Sequence, residues 1–172
     1  MRTFIFLCLI FVASFTKSKT LRKKTASSCA SPVYIKNALD SQYLDLSNIP
    51  DCGVYQADAK VIMSHSLATW CYTSTTSTAL TYNGLVGQKA CAVGLYGDSS
   101  GDFEGIFAKA MMNTNWMLWQ LKTIANGYTA IYSLGPGGTL TGNLVLTWDG
   151  TKFSLTAYSA SNRGQKWLIT KA

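Results

Sequence analysis

Apolar and polar residues alternate along most of this chain. "VYIKN" (33–37), "YLDLS" (43–47), "ALTYN" (79–83), "YTAIYS" (128–133), "NLVLTW" (143–148), "FSLTAYS" (153–159) and "KWLITK" (166–171) each place apolar or aromatic side chains on one face. A period of two is that of a half-buried β-strand. Turn signals separate the runs: Asp51-Cys52-Gly53, Asn83-Gly84, Gly97-Asp98, Asn126-Gly127, Gly135-Pro136-Gly137-Gly138, Asp149-Gly150 and Asn162-Arg163-Gly164. The one stretch with a hint of helical spacing is "GIFAKAMM" (105–112), and its flanks are wrong for a long helix. The expected class is all-β, either a sandwich or a barrel.

Three tryptophans choose between these. Trp70 stands in "SLATW", Trp119 in "NWMLW" and Trp167 in "RGQKW", separated by 49 and 48 residues. Three units of that size account for nearly all of residues 25–172, and each holds about four candidate strands. Three four-stranded units closing around a pseudo-threefold axis make a β-trefoil, whose closure removes exposed sheet edges. The repeats fall at about 32–73, 74–122 and 123–172. Trp70, Trp119 and Trp167 are expected in the core, where an indole buries a large apolar surface.

Before the domain comes a different kind of sequence. Arg2 precedes twelve apolar-rich residues, "FIFLCLIFVASF" (4–15), with small residues Ala13, Ser14 and Ser18 near the end. The run is short for a membrane span and suits a secretory signal peptide, placed at 1–18. "KSKTLRKK" (17–24) follows and reads either as a dibasic processing site or as a solvated linker; 19–31 is taken as linker or propeptide. It also changes the picture of charge. The chain carries 15 Lys+Arg against 8 Asp+Glu, a net +7, but six of the basic residues precede residue 25. The body is left near neutral, which argues against nucleic acid or heparin as partners.

Cysteine use fits export. Cys8 belongs to the signal, leaving Cys29, Cys52, Cys71 and Cys91, an even number. They can pair in three ways; nearest neighbours, Cys29–Cys52 and Cys71–Cys91, are preferred. With no Cys-X-X-Cys and a single His, no metal site or cofactor is expected.

"PVYIKNALDSQYLDLSN" and "WQLKTIANGYTAIYS" resemble the opening of repeats in ricin-B-type lectin domains, and "SASNRGQKWLI" is similar to the Gln-X-Trp closure of that family. The likeness spans most of 32–172 and is thin in the second unit. It implies shallow sugar pockets in which a carboxylate, an amide and an aromatic face meet the sugar. In the first unit Asp45 falls where the family's sugar-binding Asp lies and Gln56 near its second-strand Gln, with Tyr55 or His65 as substitute for the aromatic. Asp58 stands where the aromatic is usual. In the third unit Gln165 and Asn162 supply amides, Tyr158 a platform, and Thr147 takes the approximate Asp position. In the second unit Val93 lies near that position. Trp116 and Trp148 fall outside the repeat register.

Catalysis is not expected. "GDSSGD" (97–102) breaks the glycine pair of a serine-protease nucleophile, His65 has no evident Asp partner, and Glu104 is the only Glu. The expected function is a secreted carbohydrate-binding protein whose partners are glycans or glycoproteins, without a membrane span. The alternatives are a protein-binding trefoil (protease inhibitor or signalling ligand) and a structural secretory protein with degenerate sugar sites.

Overall fold

The computed structural model of the chain describes residues 31–47, 58–83, 93–97, 106–110, 118–135 and 143–172. These residues form thirteen strands: β1 (Val33–Asn37), β2 (Tyr43–Ser47), β3 (Asp58–Ser64), β4 (Thr69–Cys71), β5 (Thr78–Ala79), β6 (Thr81–Tyr82), β7 (Val93–Gly97), β8 (Ile106–Ala110), β9 (Leu118–Thr123), β10 (Thr129–Ser133), β11 (Leu144–Trp148), β12 (Phe153–Ala157) and β13 (Trp167–Lys171). All pairings are antiparallel. β1 runs beside β13 over five residues, from Val33 opposite Lys171 to Asn37 opposite Trp167.

Strand register exposes the threefold relation. Val33 pairs with Trp70, Thr78 with Trp119 and Thr129 with Trp167. Four residues further along each strand, Asn37 faces Trp167, Tyr82 faces Trp70 and Ser133 faces Trp119. Thus β1, the pair β5–β6 and β10 are equivalent openings of three repeats, each wedged between the closing strands of two repeats. Their midpoints, Ile35, Leu80 and Ile131, are fully buried. The fold is a β-trefoil, and only the opening strand of the second repeat is split, at Leu80.

The tryptophans repeat to the level of single hydrogen bonds. Each indole N–H donates to the carbonyl of a leucine on the second strand of its own repeat: Trp70 to Leu44 (2.9 Å), Trp119 to Leu95 (2.9 Å) and Trp167 to Leu146 (3.1 Å). All three rings and all three leucines are 0% exposed and belong to one core. Burial of such a ring contributes roughly 2–3 kcal/mol or more, and the indole N–H is satisfied without water.

The structure decides two points that the order of residues left open. Ile106–Ala110, inside the stretch with helix-like spacing, is a strand paired with both β7 and β3; pairing on two sides outweighs a weak local pattern. Trp148, outside the repeat register, ends β11. It packs half-buried against the core and donates its indole N–H to Asp40 Oδ2 at 2.7 Å. Trp116 lies outside the described residues.

That last bond belongs to a clasp between the first and third repeats. The Asn37 amide donates to Gly164 O (3.1 Å), Ala38 N to Lys166 O (3.0 Å), and the Arg163 guanidinium to Ala38 O. Gly164 is packed so closely that a Cβ there would lie 1.8 Å from the Trp148 carbonyl oxygen.

Candidate functional site

The second strands carry the position of interest. Lys36 pairs with Tyr43, Thr81 with Gly94 and Tyr132 with Val145, so Tyr43, Gly94 and Val145 are equivalent. Two residues on, the threefold-related positions are Asp45, Tyr96 and Thr147. The sequence reading put Val93 near this place; Val93 instead pairs with Tyr82, three residues too early. The error arises because the second repeat has no motif to anchor its register. Asp45 is the one carboxylate among the three.

Asp45 is half-buried on the outward face of β2, opposite Ile62 of β3. Its Oδ1 accepts from the backbone N–H of Leu46 (2.7 Å) and from the Tyr82 hydroxyl (3.3 Å). Its Oδ2 has no protein donor among the described residues. Tyr82 comes from the second repeat, and its ring meets the Trp70 ring edge to face, centroids 5.5 Å apart at 78°. Burial foremost, then the Asp45 charge and the hydrogen bond to it, raises the Tyr82 pKa above its ordinary value. Tyr82 is therefore a neutral donor at physiological pH, and it holds one carboxylate oxygen while the other meets no donor among the described residues.

Of the other first-repeat candidates, His65 is exposed at the turn after β3. Its Nε2 lies 3.5 Å from Gln42 Nε2, and no contact joins it to Asp45. Tyr55 and Gln56 lie outside the described residues, and of Asp58 only the strand pairing with Lys109 is described.

Among the described residues, the third-repeat candidates are engaged with the protein itself. Gln165 is 1% exposed. Its Nε2 donates to Thr147 Oγ1 (3.2 Å), Thr156 Oγ1 (2.8 Å) and Ala157 O (2.9 Å), and its Oε1 accepts from Ser159 N (2.6 Å). With every polar atom engaged, this amide fixes the loop before β13 and has nothing left for a sugar. Thr147, only 4% exposed, bonds Thr156 at 2.7 Å and is equally closed off. The Asn162 oxygen caps Gly164 N at 2.9 Å. Tyr158 leans on Tyr132 (centroids 6.1 Å apart) at the edge of a second apolar cluster with Ala130 and Val145. The sugar-contact role expected of Gln165 is thus corrected to a structural one, and Asn162 serves first as a turn cap.

Cys71, buried in β4, is disulfide-bonded. Cys29, Cys52 and Cys91 lie outside the described residues, as does the pairing. Among the described residues no cluster of three metal-ligating side chains occurs, and no helix is long and apolar enough to cross a membrane.

Tyr82 is the neighbour of the candidate Asp45 that sequence reading missed. "ALTYN" marked it as a strand aromatic, but its contact with Asp45 joins residues 37 apart in different repeats.

Comparison with solved structures agrees on the fold. The chain is similar to a salivary protein from Culex quinquefasciatus of the Cysteine and Tryptophan-Rich (CWRC) family, with 21% identity over 86% of this chain and 97% of that one (TM-score 0.59). It is similar to ThreeFoil, a designed 3-fold symmetric protein, with 16% identity over 81% and 97% of the two chains (TM-score 0.59). It also matches lysenin in complex with phosphocholine, with 13% identity over 83% of this chain and 45% of that one (TM-score 0.57). At such identities the likeness is one of fold. No protein family and no curated protein matches the chain by sequence.

Proposed function

We propose that this β-trefoil is a secreted carbohydrate-binding protein that engages a sugar of a glycan or glycoprotein through its first repeat, without catalysis. The observation that carries the reading is the half-buried Asp45 carboxylate: one oxygen held by Leu46 N–H and the Tyr82 hydroxyl, the other without a protein donor among the described residues. A sugar hydroxyl donates to that free oxygen, and the Tyr82 oxygen accepts from a second hydroxyl. Such a pair rejects a ligand lacking either hydroxyl, because an unmatched polar group in the contact is costly. The ricin-B-type resemblance supports the same residue, and the apolar N-terminal run supports export. Trefoil sites are individually weak, so useful affinity comes from clustered glycans or several copies of the protein.

A glycan array followed by calorimetry on the best ligand tests this. The wild type binds a subset of sugars, and Asp45→Asn loses at least about tenfold in affinity with an unchanged melting temperature. Absence of binding across the array would rule the lectin reading out. It would favour a protein-binding or purely structural trefoil, in keeping with the loss of the carboxylate at Tyr96 and Thr147. A protease-inhibition assay then separates those two.

A further inference from the structure

The barrel wall beside Asp45 carries side chains that the fold does not require. On the outward face of β13, β1 and β2, Lys36 stands opposite both Leu168 and Tyr43, and Tyr34 stands opposite Thr170. The Tyr34 and Tyr43 rings meet edge to face, centroids 6.0 Å apart at 70°. The Lys36 ammonium lies 5.6 Å from the Tyr43 centroid and pairs with no carboxylate among the described residues. Leu168 is 38% exposed, large for an aliphatic side chain in a strand.

The pseudo-threefold supplies an internal control. Where the first repeat has Tyr34, Lys36 and Tyr43, the second has Ala79, Thr81 and Gly94. The third has Ala130, Tyr132 and Val145, all buried beneath its own apolar cluster. The second repeat therefore closes the same barrel with small residues at these registers. Two half-exposed tyrosines and an unpaired lysine on that wall are not explained by packing.

We propose that this wall is a subsite for an anionic sugar, adjoining the Asp45 position and held by Lys36 between Tyr34 and Tyr43. The inference rests on the carbohydrate reading of Asp45 and deepens it. Tyr43 and Asp45 share one face of β2 two residues apart, about 7 Å along the strand, within reach of neighbouring sugars of one oligosaccharide. The tyrosine rings offer apolar faces to the C–H side of a sugar. Tyr43 holds the ammonium in place by its ring charge distribution, and the ammonium draws a carboxylate or sulfate. Charge also sets the order of the two sugars. The Asp45 carboxylate repels an anion, so the neutral sugar sits at Asp45 and the acidic one at Lys36.

Four probes separate the cases: lactose, sialyllactose, a disaccharide with a terminal uronic acid, and its sulfated counterpart. Wild-type protein is expected to bind the anionic sugars about two- to fivefold more tightly than lactose, with the ratio falling toward one as salt is raised. Lys36→Thr, which installs the residue of the second repeat, brings the ratio to one and leaves lactose affinity unchanged. Lys36→Glu inverts the preference. Whether carboxylate or sulfate gains more identifies the anion. A wild-type ratio of one, or a preference that survives Lys36→Thr, overturns the subsite while lactose binding still upholds the Asp45 reading. Failure to bind any of the four overturns the subsite, and the glycan array alone decides the Asp45 reading.

Discussion

At the scale of single residues, burial decides what the Gln165 amide does. Gln165 was legible in the sequence as part of Gln-X-Trp, and so was its place before the last strand. Its role was not, because only coordinates show that Thr147, Thr156, Ala157 and Ser159 take up all its hydrogen bonds. Gln165→Ala strands those groups in a buried site, and a loss of about 2–4 kcal/mol is expected by denaturant unfolding. Sugar binding by the folded fraction should not change; selective loss of binding at full stability would return Gln165 to the ligand site. Tyr82 makes a prediction about pH. Its folded pKa is raised by burial, then by Asp45, so the folded state holds the phenolic proton more tightly than the unfolded chain. The stabilisation is complete below the unfolded pKa of about 10 and is lost as pH rises past it. Tyr132, raised mainly by burial, adds to the same decline. Tyr82→Phe should flatten part of the fall in melting temperature between neutral and strongly alkaline pH; an unchanged profile would contradict the raised Tyr82 pKa.

At the scale of elements, strands with clean alternation, such as β1, β2 and β13, were legible from the order of residues alone. β8 was less so: its segment counted among the strands of the second unit but carried a hint of helical spacing, which its pairing with β3, far away in sequence, overrides. The clasp between the first and third repeats was invisible for the same reason: Asp40 and Trp148 are 108 residues apart. Its tightest point is Gly164, where a Cβ would collide with the Trp148 carbonyl oxygen. Backbone on backbone cannot yield as a side-chain tip can, so Gly164→Ala should cost about 3 kcal/mol. Gly127 is the comparison. A Cβ there meets nothing, and only its positive φ of 75° resists substitution, so Gly127→Ala should cost about 1 kcal/mol. Equal effects in thermal melts would mean that conformation, not the close approach, decides at Gly164.

At the scale of the whole molecule, three indoles share one core and one hydrogen-bonding scheme while the surfaces above them have diverged. The barrel keeps its threefold in Trp70, Trp119 and Trp167, their leucine carbonyl partners, and Ile35, Leu80 and Ile131. The wall keeps none of it: Asp45, Tyr96 and Thr147 differ, as do Lys36, Thr81 and Tyr132. Replacing each tryptophan by Phe removes ring volume and leaves a buried carbonyl of Leu44, Leu95 or Leu146 without its donor. Each change should cost about 2–4 kcal/mol, and the three costs should lie within about 1 kcal/mol of one another because each ring is fully buried and makes the same hydrogen bond. Pairs should depart from additivity, since all three side chains belong to one contiguous cluster. Sugar binding at Asp45 should respond unequally. Trp70 supports the Tyr82 ring directly, so Trp70→Phe should weaken binding more than Trp119→Phe or Trp167→Phe at matched stability. Denaturant midpoints together with affinities for the three variants decide the matter. Unequal stabilities would break the energetic threefold, and equal affinities would detach the binding site from the core beneath it.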